Sequence, residues 1–247
     1  MYSKESGLTA YAKLCTFYKN MDTFVPFLHK GINDCIESNF FPDKLKEATL
    51  TPVHKKTSKS EKSNYRPISI LPLLSKVFER VLHKQLSTYF DKIFSQHQCG
   101  FRKGFNAQTG LIYLEELWKK SIDENEKFGA ILIDLSKAFD CMHHGLLIAK
   151  IKAYGVSSNS TKLIADYLTN RKQRTKVGNH LSSWLNIDTG VPQGSILGPL
   201  LFNIYLCDLL YTVPEVNILN YADDTTPFVI DRKARNSLQR NFQKVTR

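Results

Sequence analysis

The chain lacks the features that would tie it to an oxidising compartment or a membrane. Its five cysteines, Cys15, Cys35, Cys99, Cys141 and Cys207, are odd in number and widely spaced, with no Cys-x-x-Cys pair. Neither a disulfide framework nor a zinc site is indicated, and free thiols are the default. Long apolar runs are missing too. The longest, residues 196–213, is interrupted by Gly198, Pro199, Asn203 and Asp208, and the N-terminus has no apolar core of the signal-peptide kind. The reading is of an intracellular protein, nuclear or cytoplasmic, not secreted and not in a membrane. No internal repeat or low-complexity tract is present. Acid is scarce relative to base, with 23 Asp/Glu against 34 Lys/Arg and a net charge of +11. The excess is uneven: residues 44–104 hold 13 Lys/Arg against 4 Asp/Glu. A polyanionic partner is the economical explanation, and a solvated basic surface is its rival. At 247 residues the chain can form one large or two small domains with a real core.

What is present begins with Tyr221-Ala222-Asp223-Asp224, set between the apolar run 216–220 and a second run ending Phe228-Val229-Ile230. It reads as a β-hairpin with two carboxylates at its tip, a hard oxygen-rich site of the sort Mg²⁺ prefers. Upstream, Gly129-Ala130-Ile131-Leu132-Ile133-Asp134 reads as a buried strand that delivers an acid to its C-terminal edge. Two metals about 3.5–4 Å apart need shared anionic ligands, which gives Asp134 a reason to meet the hairpin. Between them, Gly190-Val191-Pro192-Gln193-Gly194-Ser195 breaks the chain before the apolar stretch 200–206. A Gly-rich turn entering a helix lets backbone come close to a ligand.

Taken together, Ile133-Asp134-Leu135-Ser136-Lys137-Ala138-Phe139-Asp140, Val191-Pro192-Gln193-Gly194-Ser195 and Tyr221-Ala222-Asp223-Asp224 resemble the A, B and C palm motifs of reverse transcriptases of the non-LTR (LINE-type, jockey-like) retrotransposons. Pro52-Val53-His54-Lys55-Lys56, Asn64-Tyr65-Arg66-Pro67-Ile68-Ser69 and Ser75-Lys76-Val77-Phe78-Glu79 resemble that family's fingers, and His97-Gln98-Cys99-Gly100-Phe101-Arg102-Lys103-Gly104 its next fingers motif. The resemblance spans about residues 25–230, in family order. It implies an α+β fold, the fingers and palm of a right-hand polymerase: residues 1–44 as a mostly helical extension, 45–128 as fingers, and 129–247 as palm with part of the fingers. The thumb is expected to be absent, with no endonuclease segment before the fingers, so the chain reads as a fragment.

The same resemblance implies RNA-directed DNA polymerase activity, with RNA template, DNA primer and dNTP as partners. Asp134 and Asp223 would hold two Mg²⁺ ions, with Asp224 assisting. Lys55 (or Lys56) and Arg66 would grip the triphosphate; solvent exposure is the rival reading for each. Phe139 would lie under the incoming sugar and exclude a 2′-hydroxyl, against the alternative of a core ring. Gln193 and Gly194 would face the nascent base pair, and Arg102 would contact template. Asp140 is expected to cap or hydrogen-bond, and His143 and His144 to be structural. Of the interleaved aromatics Tyr65, Phe78, Tyr89, Phe94 and Phe101, Phe78 and Phe94 read as core. A second class of function stays open: a non-catalytic RNA-binding remnant of such an element.

Element by element, Pro26 and Pro42 bracket a helix over 27–38, and helices are expected at 73–90, 109–126, 145–154 and 160–168, the last with a Ser N-cap. Residues 55–63 read as a polar loop joining two strands, and 174–177 with 184–187 as a hairpin through Gly178-Asn179. Pro227, in the return strand of the acidic hairpin, removes one N–H donor, is expected at an edge or strand start, and is expected to loosen the hairpin.

Overall fold

A computed structural model of the chain describes residues 21–55, 58–135, 137–212 and 216–232. Lys56, residues 1–20 and residues 233–247 lie outside the described residues, so the helical reading of the extension is met only from Met21 onward. Helix α1 (Met21–Glu37) leads into β1 (Glu47–His54) and β2 (Tyr65–Ile70), then α2 (Leu73–Phe90) and α3 (Ala107–Asp123). Strands β3 (Lys127–Ala130) and β4 (Ile133–Asp134) precede α4 (His144–Ala153) and α5 (Ser158–Leu168). Next come β5 (Arg171–Val177), β6 (His180–Leu181), β7 (Leu185–Ile187), α6 (Gly198–Leu206), α7 (Leu209–Thr212), β8 (Asn217–Tyr221) and β9 (Asp224–Asp231).

Local chemistry explains the boundaries. Helix α2 starts after Pro72 and buries Ser75, Phe78, Glu79, Leu82, Leu86 and Phe90, one stripe at helical spacing. Helix α3 starts two residues earlier than its apolar spacing suggests, because Asn106 Oδ1 accepts the Thr109 N–H at 2.8 Å. Ser157 caps α5 in the same way, accepting from Ser160 N. Pro26 does not bracket α1 but lies inside it. The 55–63 loop joins β1 to β2 as expected, whereas Gly178-Asn179 leads only into β6. Between β6 and β7 the register against β5 slips by one residue, and Ser182 bridges the slip through Thr175 N→Ser182 Oγ and Ser182 N→Thr175 O, both 2.9 Å.

Two sheets result. The first runs β2-β1-β5-β6, with β7 also on β5; β1 and β5 are parallel and the other pairs antiparallel. The second has β9 at its centre, with β8 on one side and β3 and β4 on the other. The main core gathers α2, α4, α5 and α6 around Phe41, which stacks on Phe78 at 4.8 Å and meets Tyr167 edge-on at 5.0 Å. Phe78 and Phe94 are both core, as the spacing predicts. Each such fully buried ring contributes roughly 1.5–3 kcal/mol by leaving water. A smaller cluster, Cys99, Leu219 and Phe228, binds α3 to the second sheet.

The strand ending in Asp134 differs from its reading. It is not buried, with Leu132 86% exposed, and it is split in two. Pro227 is the physical cause. It sits in the central strand, where Ile131 donates to the Pro227 carbonyl at 3.0 Å. The reciprocal bond, from residue 227 to Ile131, cannot form because proline has no N–H. The β8–β9 pairing continues past Pro227 from Asn217↔Phe228 to Tyr221↔Asp224, so the hairpin is intact and the deficit falls on the β3–β4 side. Pro227→Thr restores the missing donor and is expected to stabilise the fold by about 0.5–1 kcal/mol in urea unfolding; an unchanged or lower midpoint would show that the split strand has another cause.

Candidate active site

The second sheet assembles the acids. Tyr221 pairs with Asp224 across a two-residue turn, Ala222-Asp223, in which Ala222 takes φ 58. On its other edge Asp224 pairs with Asp134, so these two acids are direct cross-strand neighbours about 4.5–5.5 Å apart at Cα. Both are exposed, and Asp223 is half-buried beside them in the turn. Paired exposed carboxylates are hard donors whose chemistry fits Mg²⁺. Among the described residues, no three carboxylate, imidazole or thiol groups are close enough together to enclose a single ion. The donor set thus fits a divalent cation through the Asp134–Asp224 pair, with Asp223 as the adjoining group.

The turn rests on a support that the motifs did not reveal. Residues 97–100 run parallel to β8 as a strap: Cys99 N donates to Asn220 O at 2.8 Å, and Asn220 N to His97 O at 2.9 Å. Gly100 lies so close beneath the turn that a Cβ there would be 2.8 Å from Ala222 Cα and would overlap the Ala222 nitrogen. Asn203 of α6 holds the strap in place, donating to Gly100 O and accepting from Gln98 Nε2, each at 2.7 Å. Inside the hairpin, buried Asn220 Nδ2 donates to Thr225 Oγ1 at 2.8 Å. Arg102 closes the strap from the other end. Its Nη1 donates to Ser95 O at 2.6 Å and Gln98 O at 3.0 Å, its Nε pairs with Asp91 at 3.3 Å, and its guanidinium lies 4.3 Å from the Phe105 ring centre. The side chain is only 8% exposed, so its contacts are internal rather than turned to a template.

A second junction joins the loop after Asp134 to the Gln193-Gly194 turn. Val191 N donates to Phe139 O and Gly190 N to Met142 O. Gln193 Nε2 donates to Asp140 Oδ1 at 3.1 Å, the hydrogen-bonding role expected of Asp140. His144 Nε2 contacts Gly190 O at 2.7 Å and His143 caps α4, so both histidines are structural. Gly194, at φ +124, needs its missing side chain for a reason within the chain, since a Cβ would be 2.7 Å from Ser69 O. Ser69 N in turn donates to Gln193 O at 2.8 Å, which ties this turn to β2. Helix α6 begins here without a side-chain cap at its own N-cap, Leu197. Buried Glu79 of α2 takes that place, accepting from Ile196 N at 2.6 Å and Leu197 N at 3.2 Å. Burial and the neighbouring Glu79 carboxylate push the Tyr167 phenol up from its ordinary pKa. Glu79 was detectable in the sequence as a charge on an otherwise buried helical stripe.

Phe139 is half-buried. Its ring stacks on buried Phe202 at 4.7 Å and meets Phe101 edge-on at 5.9 Å. Phe101 itself stands at φ 56, a left-handed conformation that is costly for a bulky residue. Lys55 and Arg66 are exposed at the loop end of the β1–β2 hairpin, where Val53 pairs with Arg66 and Lys55 N donates to Asn64 O at 2.8 Å.

Residues 53–247 match the family described as reverse transcriptase (RNA-dependent DNA polymerase), and the chain belongs to it. It is 35% identical over 201 residues to a probable RNA-directed DNA polymerase from transposon BS of Drosophila melanogaster, covering 77% of this chain and 21% of that protein. It is 30% identical to the RNA-directed DNA polymerase from mobile element jockey of the same species, over 83% of this chain and 23% of that one. The chain therefore spans about a fifth of the length of these relatives. Among solved structures, apo telomerase from Candida tropicalis, truncated from its C-terminal domain, shares the fold. Its TM-score is 0.62 at 10% identity, over 83% of this chain and 47% of that one. The α+β reverse transcriptase fold expected from the motifs is thus the fold observed. Among the described residues, no helix is long and apolar enough to cross a membrane.

Two outcomes follow from the strap. Gly100→Ala is expected to cost about 1–3 kcal/mol in chemical denaturation, because the added methyl meets backbone rather than a flexible side chain. Burial lowers the pKa of His97, whose ring packs on Tyr113 at 4.8 Å. The unfolded chain then binds the proton first, so stability falls as pH drops through the ordinary imidazole value of about 6.5 toward the lower folded value. His97→Phe is expected to flatten that acid limb in thermal unfolding from pH 7.5 to 5; an unchanged limb would assign it to other groups.

Proposed function

We propose that the chain is the catalytic portion of an RNA-directed DNA polymerase, joining a dNTP to a DNA primer 3′-hydroxyl on an RNA template. The observation that carries this reading is the register of β4 on β9, which sets Asp134 opposite Asp224 with Asp223 next in the turn. In it, Asp134, Asp223 and Asp224 would hold two Mg²⁺ ions. When bound, the ions would supply Lewis-acid chemistry at the primer hydroxyl and the triphosphate. The chain's own groups do the rest. Arg66 offers a bidentate fork and Lys55 a mobile point charge to the triphosphate oxygens. Phe139, backed by the Phe202 ring, presents a rigid edge that limits room at the sugar C2′. The Gln193-Gly194 turn, fixed to Asp140 and Ser69, gives the nascent base pair a firm floor. Arg102 is a positioning residue, holding the strap under the acidic turn. Residues 45–128 act as fingers and 129–247 as palm, β5–β7 rejoining the fingers sheet.

The intact set of acids favours this reading over a non-catalytic RNA-binding remnant. In primer extension on an RNA template with Mg²⁺, Asp134→Asn, Asp223→Asn and Asp224→Asn are each expected to reduce incorporation to background while leaving RNA affinity unchanged. Phe139→Ala is expected to raise ribonucleotide incorporation relative to deoxynucleotide. Extension that survives Asp134→Asn would overturn the assignment of the acids; an unchanged sugar preference would return Phe139 to a purely packing role.

A further inference from the structure

Left-handed backbone is unevenly placed along the chain. Among the described residues, six other than glycine take positive φ: Asn39, Phe101, Asn125, Lys137, Asn170 and Ala222. The asparagines are of the type that bears this conformation at least cost. The other three all belong to the candidate site: Ala222 lies in the acidic turn, Lys137 in the loop between Asp134 and Phe139, and Phe101 beside Gly100 in the strap. Phe101 is the bulkiest of them. Its conformation is imposed from both sides, since Gly100 lies against Ala222 and the Arg102 side chain is enclosed. Glycine or asparagine would follow the same path more easily. An aromatic residue held there instead points to a use for its ring.

Packing in the core is not that use, because Phe101 is 49% exposed. Its ring meets Phe139 edge-on, with centres 5.9 Å apart and planes at 80°. Phe139 in turn lies almost parallel to Phe202 of α6, at 4.7 Å and 22°. The three rings rise from the core to the surface: Phe202 is buried, Phe139 half-buried and Phe101 open. Two rings set nearly at right angles make a corner. Its walls are apolar and offer neither a hydrogen-bond donor nor an acceptor. The same segments carry or support the acids, since Phe139 follows Asp134 by five residues and Gly100 lies beneath the turn that holds Asp223.

Such a corner accepts a sugar methylene and disfavours a hydroxyl, which would give up its bonds to water there and gain none. With Phe139 as the only wall, a 2′-hydroxyl could turn aside into solvent. A second ring across that side removes the escape. We infer that Phe101 is a specificity-determining residue, the second wall of the pocket for C2′ of the incoming nucleotide, with its left-handed backbone aiming the ring. This rests on the polymerase reading and deepens it: sugar choice comes from desolvation by a pair of rings as well as from the bulk of one.

The test is single-nucleotide primer extension on an RNA template with Mg²⁺, comparing kcat/KM for a dNTP and the matching rNTP. Phe101→Asn removes the ring while suiting the left-handed backbone. It is expected to lower the preference for dNTP about tenfold, the order of discrimination that one pocket contact supplies, and to leave the thermal midpoint unchanged or higher. Phe101→Leu, which keeps apolar bulk without a flat wall, is expected to fall between Phe101→Asn and wild type. Because the rings form one corner, Phe101→Asn/Phe139→Ala is expected to lose less preference than the two single losses combined. Equal losses for dNTP and rNTP in Phe101→Asn, with the preference unchanged, would overturn the inference and leave Phe101 as a support of the strap while the polymerase reading stands. Fully additive losses would overturn the shared corner. A preference that follows the sugar at the primer 3′ end, ribose against deoxyribose, would overturn the placement at the incoming nucleotide. Wild-type chain that extends no primer would instead defeat the polymerase reading itself, and this inference with it.

Discussion

The site depends on the close approach of one backbone to another. A two-residue turn carrying adjacent acids is a poor platform by itself: Asp223 and Asp224 repel, and Ala222 must hold φ 58 without being glycine. Gly100 lets the strap lie against that turn, and the Asn220 and Asn203 amides lock it there. A side chain at position 100 would separate the two backbones and break those bonds together. The glycine is therefore needed for proximity, not for a left-handed φ, and that need is visible only once the hairpin has been folded over it.

The strap and the acidic turn are bound in turn to the first sheet through α6. Asn203 on that helix grips the strap, while its N-terminal turn is capped by Glu79 from α2 and continues into Gln193-Gly194 on β2. Hydrogen bonds to a charged group are worth about 1.5–3 kcal/mol each, so the buried Glu79 pair fixes this helix start firmly. The same turn reaches Asp140 through Gln193, which joins it to the loop following Asp134. The acids, the Gln193-Gly194 turn and the Arg66-bearing strand thus share one set of supports. Displacing any of them is felt at the others, which couples the separated motifs structurally.

How much of this was legible follows from which interactions are local. Helix α2 was readable to the residue because its stripe and Pro72 are local signals. The meeting of Asp134 with the acidic hairpin was readable because two metals demand shared ligands. The strap was not, since a parallel bridge from Gln98 to Asn220 leaves no periodicity in either segment. The packing reason for glycine at 194 is hidden in the sequence for a similar reason: the atom that a side chain would meet belongs to Ser69, far away in sequence. From sequence Pro227 belongs at an edge or strand start, because the rule concerns the missing donor. The rule does not say which of two neighbouring strands goes without.

Arg66 and Arg102 show where residue type stops informing and burial begins. Both sit in motifs, both carry the same fork of donors, and on sequence alone each is a candidate to hold an anion. Arg66 stands exposed on an open face with no carboxylate partner among the described residues. Arg102 is enclosed by Phe105, Phe94, Asp91 and two carbonyls, so its donors are already used. Removing a guanidinium of the first kind breaks no ion pair among the described residues. Removing one of the second kind leaves carbonyls buried without partners, a cost that falls on the strap and, through Gly100, on the acidic turn. The two arginines, alike in chemistry, are therefore placed oppositely: one stands open to solvent, and the other fixes the backbone beneath the acids.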